Sequence, residues 1–121
     1  MKKLAAIRGA VCVENDPADI VAKTARVYDL LTGRNGIREE DIVSLVFSVT
    51  NDIDAKNPAA ALRESGRARD LALFSVQEPY IKGGLPRVIR LLLHCYIEEN
   101  AVPAHIYIEG AEALRPDRTC S

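Results

Sequence analysis

Apolar and polar positions change their spacing several times along the chain, and each change predicts an element. Residues 3–13 (Lys-Leu-Ala-Ala-Ile-Arg-Gly-Ala-Val-Cys-Val) form a short, mostly apolar run that reads as a first strand. Asp16-Pro17 then breaks it, pairing a good helix cap with a residue suited to the first helical turn. Ile20, Val21, Thr24, Val27, Tyr28 and Leu31 recur at helical spacing as one apolar stripe. Gly33 is expected to end this helix and Asn35-Gly36 to turn the chain. Residues 37–41 read as a polar connection. Residues 42–50 are rich in β-branched side chains and predict a second strand. After a loop over 51–58, Pro58 opens a short helix over 59–65, closed by Gly66. Residues 71–77 predict a third strand, ended by Glu78-Pro79. Residues 105–109 alternate polar and apolar, as a half-buried strand should, and the remainder from Gly110 reads as a tail.

Between these lies Gly83-Gly84-Leu85-Pro86-Arg87-Val88-Ile89-Arg90-Leu91-Leu92-Leu93, where chain breakers give way to an apolar run holding one cation. Helix and strand both fit residues 88–97, because short apolar runs are ambiguous. As a strand, one face carries Val88, Arg90, Leu92 and His94, the other Ile89, Leu91, Leu93 and Cys95. Neither face is polar, so such a strand is expected to be covered on both sides. Arg90 is then drawn into the interior, where a guanidinium needs an anion. That anion is either a carboxylate of the chain, Glu78 being the nearest candidate, or a ligand. Arg8 is a second cation embedded in apolar sequence, on the face of Leu4, Ala6 and Ala10. It reads either as functional or as a solvent-facing residue of an edge strand.

The order strand, helix, strand, short helix, three strands predicts an α/β (α+β) fold. It is a single domain over residues 1–121, with a mixed five-stranded sheet, one long helix and a tail from about residue 111. One long helix covers only part of one sheet face. The strands are apolar on both faces, so the second face must meet something, and another copy of the chain is the simplest candidate.

Composition narrows the function. A chain of 121 residues with a formal net charge of −1 has no basic surplus for nucleic acid, and two Phe without Trp offer little base stacking. No apolar run reaches membrane-spanning length, and Arg8 interrupts the first residues before any secretory core could form. Cys12, Cys95 and Cys120 are odd in number and widely spaced, which points to a reducing cytoplasm rather than a disulfide framework. Gly83-Gly84 lacks the Lys-Ser/Thr sequel of a phosphate loop, no nucleophile elbow is present, and His94 and His105 have no metal-ligand spacing. What remains is a set of arginines (Arg8, Arg63, Arg90, Arg115) with Glu78 and Tyr107. That set suits recognition of a compact dianion by bidentate hydrogen bonds, not covalent or metal chemistry.

Ile7-Arg8-Gly9-Ala10, followed by Val13-Glu14-Asn15-Asp16, resembles the N-terminal signature of the monofunctional chorismate mutases of the AroH class. Pro58-Ala59 with Arg63, Gln77-Glu78, Gly83-Gly84-Leu85, Ile89-Arg90, Tyr107 and Leu114-Arg115-Pro116-Asp117 match that family in order, from about residue 4 to residue 117. The resemblance implies a homotrimeric pseudo-α/β barrel of ferredoxin-like topology, with residues 88–97 as strand and active sites between subunits. It implies an isomerase that converts chorismate to prephenate for phenylalanine and tyrosine biosynthesis, in the cytoplasm and without cofactor or metal. By resemblance, Arg90 holds the ether oxygen and a carboxylate, Arg8 and Tyr107 hold carboxylate, and Glu78 accepts the ring hydroxyl, which Ser75 also binds. Arg63 and Arg115 lie near the entrance, and Asn57, Ala59, Leu73, Phe74 and Leu114 complete the substrate-binding set.

The chain departs from that pattern where the family often has Phe (Asn57), Lys (Ala60), Thr (Phe74) and Cys (Ser75). Asn57 and Ala60 remove an apolar wall and an entrance cation, which bears on substrate capture more than on the chemical step. Two other readings are a trimeric imine and enamine deaminase of similar fold, and a non-catalytic module that binds a carboxylate metabolite. The signatures around Arg8 and Arg115 argue against the first; the altered loop at Asn57 and Ala60 supports the second.

Overall fold

A computed structural model describes residues 1–114. Arg115, Pro116, Asp117 and Cys120 therefore lie outside the described residues. The strands are β1 (Lys2–Cys12), β2 (Ile42–Val49), β3 (Leu73–Gln77), β4 (Val88–Glu98) and β5 (Ile106–Ile108). The helices are α1 (Pro17–Arg34) and α2 (Pro58–Glu64), with 3-10 turns at Glu39–Asp41 and Ala111–Leu114. The second of these turns lies where the sequence suggests only tail. The strands form one mixed sheet in the order β3-β2-β4-β1-β5. β4 is antiparallel to β1 and β2, while β5 runs parallel to β1 and β3 parallel to β2. No helix among the described residues is long and apolar enough to cross a membrane.

α1 begins as its sequence demands. The Asp16 carboxylate accepts a hydrogen bond from Asp19 N at 3.1 Å, and Pro17 fills the first turn. Its end differs from expectation. Gly33 is helical, and the chain leaves the helix at Gly36, whose φ is +60°. There Ile37 N donates to Thr32 O and Gly36 N to Gly33 O, the paired bonds of a Schellman stop, which needs a left-handed residue. Ile20, Thr24, Val27, Tyr28 and Leu31 are buried under this helix. Gly9 lets α1 close on the sheet, for a Cβ there would stand 2.9 Å from Leu31 Cδ1. Beneath α1 lie Ile7 and Val11 of β1, Leu45 and Phe47 of β2, and Ile89, Leu91 and Leu93 of β4.

The opposite sheet face corrects two expectations. Within the protomer β4 is covered along its length on one side only: Ile89, Leu91, Leu93, Cys95 and Ile97 are buried there, whereas on the other side Val88 is buried but Arg90 and Tyr96 are exposed and Leu92 and His94 half-buried. Arg90 is not drawn into the interior of the protomer, because both helices lie off this face; its side chain keeps 47% of its exposure. Arg8 is also exposed, but not on an edge strand. β1 lies between β4 and β5, with β5 pairing only Gly9–Val11, and Arg8 points from the open face. Leu4 and Phe74, 62% and 66% exposed, share that face.

Strands β3 and β5 start later than expected. β3 starts at Leu73 because Leu71 N donates to Ala68 O in a turn. β5 excludes His105, whose Nδ1 accepts the Arg8 N–H at 3.0 Å, so a side chain stands where a ladder bond would be. α2 begins one residue earlier than expected, at Pro58.

Candidate active site

Strand register assembles the first group of candidates. Ser48 of β2 is opposite Arg90 of β4, Arg90 is opposite Ala10 of β1, and Ala10 is beside Tyr107 of β5. Cross-strand partners share a face, so Ser48, Arg90 and Tyr107 form one row on the open side, and Arg8 lies diagonally from Arg90, opposite Leu92. Ala10 offers only a methyl between two long side chains. The row thus sinks into a hollow of about 290 Å³ lined by Arg8, Ser48, Arg90, Leu92 and Tyr107. The Arg8 guanidinium makes no hydrogen bond or ion pair with a described residue. Two cations converging on a hollow call for an anion with more than one acceptor group.

Glu78 joins this group from the end of β3. Its N–H donates to Val49 O at 2.7 Å, and its Oε1 accepts from Ser48 Oγ at 2.5 Å. Arg90 Nε stands 3.5 Å from the same oxygen. The pair expected from the sequence is present, but it is half-exposed, not buried. Glu78 and Arg90 also line a neighbouring hollow of about 170 Å³, walled by Tyr80, Ile81, Gly84 and Leu85 of the following loop. Leu114 packs behind the row, against the cluster of Ala10, Val88, Tyr107 and Ala111.

The second group lies elsewhere. Ser75 is opposite Phe47, which is buried on the α1 side, so Ser75 and Leu73 face the helices. Asn57 caps α2: its Oδ1 accepts from Ala59 N at 2.9 Å and from Ser75 Oγ at 2.8 Å. Asn57 and Ser75 border a separate hollow of about 290 Å³ with Lys56, Val76 and Gln77. Ala59 is buried within α2, and Arg63 is exposed on it. Phe74 parts from its neighbours and points to the open face, opposite Val46. Within one protomer, Arg8, Arg90, Tyr107 and Glu78 come together, while Asn57, Ser75, Leu73, Ala59 and Arg63 do not join them.

Cys12 and Cys95 are free, and burial pushes both thiols up, which leaves neither poised as a nucleophile.

Comparison with known proteins adds the family. The sequence profile of chorismate mutase type I matches residues 4–118. The chain belongs to that family. Chorismate mutase AroH of Bacillus subtilis is 34% identical over 116 residues, spanning 92% of this chain and 89% of that protein. The AroH protein of Thermus thermophilus is 36% identical over 115 residues, spanning 92% and 93%. The solved chorismate mutase of Clostridium thermocellum matches the fold with a TM-score of 0.81 at 35% identity, covering 90% of this chain and 98% of that one. Membership in a chorismate mutase family sets aside the deaminase reading.

One feature of the site escapes the sequence. Ser48 sits in a β-branched strand like any small polar residue, and only register puts it opposite Arg90. Asn57 has a readable signal, since Asn before Pro at a helix start is a cap followed by a first-turn proline. By resemblance to the family it is a loop residue that fails to supply an apolar wall. In the fold it ties α2 to β3.

Proposed function

We propose that this chorismate mutase isomerises chorismate to prephenate in clefts between the subunits of a homotrimer. The observation that carries the reading is the pair of guanidinium groups, Arg8 and Arg90, in one hollow beside the Glu78 carboxylate. Chorismate is a compact dianion with a ring hydroxyl. It needs two cationic carboxylate sites and one acceptor.

The chemistry asks no more. The reaction is a unimolecular Claisen rearrangement through a chair-like transition state. The C–O bond breaks ahead of C–C bond formation, so negative charge gathers on the ether oxygen. No proton has to move and no covalent intermediate is needed. Nor does any step require a cofactor to supply electrons or a group. The protein has two tasks: to fold the enolpyruvyl arm over the ring, and to hold a fixed positive charge at the developing oxyanion. By resemblance, Arg90 serves the ether oxygen and one carboxylate, while Arg8 and Tyr107 serve carboxylate. Glu78 accepts the ring hydroxyl. The position of Arg90 in β4, paired on both sides by Ala10 of β1 and Ser48 of β2, supports a rigid placement.

Trimer formation explains why the candidates fall into two groups. The open face carries Leu4, Leu92, Phe74, Val76 and Tyr96, an apolar surface that a second copy would cover. In that assembly Ser75 of one copy reaches the ring hydroxyl bound by a neighbour's Arg90 group. Asn57, Ala59, Leu73 and Phe74 wall the cleft, with Arg63 at its entrance and Leu114 below. The free thiols of Cys12 and Cys95 support a reducing, cytoplasmic setting. The role lies in the biosynthesis of aromatic amino acids.

The test is a spectroscopic assay of chorismate loss by purified protein, with prephenate identified as product. Turnover without added metal or nucleotide is expected. Tight binding of chorismate without conversion would favour the non-catalytic module; no interaction at all would overturn both readings.

A further inference from the structure

Two contacts meet on one oxygen of Glu78. Ser48 Oγ donates to Oε1 at 2.5 Å, and Arg90 Nε stands 3.5 Å from the same atom. No hydrogen bond from a described residue ends on Oε2. The backbone of Glu78 is fixed separately by its N–H on Val49 O. Adjacent residues of β2 thus grip Glu78 at both backbone and carboxylate.

The Arg90 distance is informative. At 3.5 Å it exceeds hydrogen-bond length. An arginine and a carboxylate this close commonly shut into a bidentate fork with N–O distances of about 2.8 Å. Such a fork would occupy both carboxylate oxygens and two guanidinium nitrogens. Here the short bond to Ser48 holds the carboxylate on the β2 side of the row instead.

We propose that Ser48 is a positioning residue that keeps Glu78 from closing on Arg90. It leaves Oε2 open to a ligand hydroxyl and the outer nitrogens of Arg90 open to an anion. This rests on the proposed reaction, in which Glu78 accepts the ring hydroxyl and Arg90 meets the ether oxygen. Without the serine the two groups quench each other, and the hollow loses its acceptor and its cation together.

The experiment is a Ser48–Glu78 double-mutant cycle read by kcat/KM for chorismate. Ser48→Ala is expected to lower kcat/KM by about tenfold or more, the scale of a hydrogen bond to a charged group. Ser48→Thr keeps the hydroxyl on a residue suited to a strand, and should recover most of the loss. In a Glu78→Ala background Ser48→Ala should change kcat/KM by less than about twofold, because the carboxylate it positions is gone. A merely structural serine predicts equal losses in both backgrounds, and that result would overturn the inference. So would Ser48→Ala with wild-type kcat/KM. Wild-type protein that does not convert chorismate would instead bring down the proposed reaction, and this inference with it.

Discussion

Replacing Arg90 with alanine separates a catalytic cation from a structural one. If the guanidinium meets charge that appears only as the C–O bond breaks, its loss falls mainly on kcat. Removing one neutral oxyanion donor typically lowers kcat by about 10²–10³, or about 2.7–4 kcal/mol, and a full cation should be worth at least that. The stability effect is expected to be small. Arg90 Nε and Glu78 Oε1 are 3.5 Å apart, with side chains 47% and 22% exposed. A partly exposed pair at that distance contributes about 0–1 kcal/mol. Glu78 also keeps its bond to Ser48 when Arg90 is gone, so no carboxylate is stranded. A deeply buried pair would instead cost about 3–5 kcal/mol when broken. The assay is kcat from initial rates of chorismate loss, alongside thermal melting of the same preparations. Arg90→Ala should melt within a few degrees of wild type and lose at least about a hundredfold in kcat. Arg90→Lys keeps the charge but not the planar fork, so it should recover only part of the rate. A collapsed melting temperature with near-normal kcat in the folded fraction would refute the assignment.

Two further outcomes follow from contacts outside the Arg90 row. Asn57→Ala removes the cap of α2 and the acceptor for Ser75 Oγ, and should destabilise the protein by about 1 kcal/mol in a denaturant titration; an unchanged midpoint would show that the cap carries no weight. The Asp19 carboxyl is held below the usual carboxylate range, first by the Glu14 N–H that donates to it and then by Lys23. A lowered folded-state value means stability that is present above the ordinary carboxylate pKa and lost as pH falls through the lowered one. Asp19→Asn should therefore lose less stability than wild type on acidification below about pH 4, and superimposable pH profiles would contradict the link.

Much of this fold is readable where one local rule dominates. Asp16-Pro17 and the stripe from Ile20 to Leu31 specify α1 because capping and helical period agree. The end of α1 is harder: Gly33 and Gly36 both qualify as stops, and only the bonds from Gly36 and Ile37 back to Gly33 and Thr32 decide between them. β4 fits either period, and its state depends on β1 and β2 pairing along both of its edges. The cations of the site are legible as charges inside apolar runs. Their exposure is not, because an apolar strand predicts cover without saying whether its own chain or another copy supplies it. The division of the candidates between two sheet faces is a consequence of register, which opposes Ser75 to Phe47 and Ser48 to Arg90.

That division makes the two-copy site directly testable by subunit complementation. Arg90→Ala disables one group and Arg63→Ala with Ser75→Ala disables the other, each in its own protein. Unfolded together in equal amounts and refolded, the two should form mixed trimers in which about a quarter of the sites draw both intact halves from neighbouring copies. Chorismate turnover of the mixture should then rise well above that of either variant alone, toward a quarter of the wild-type rate. A mixture no more active than the mean of its two components would place the whole site within one protomer and contradict the account.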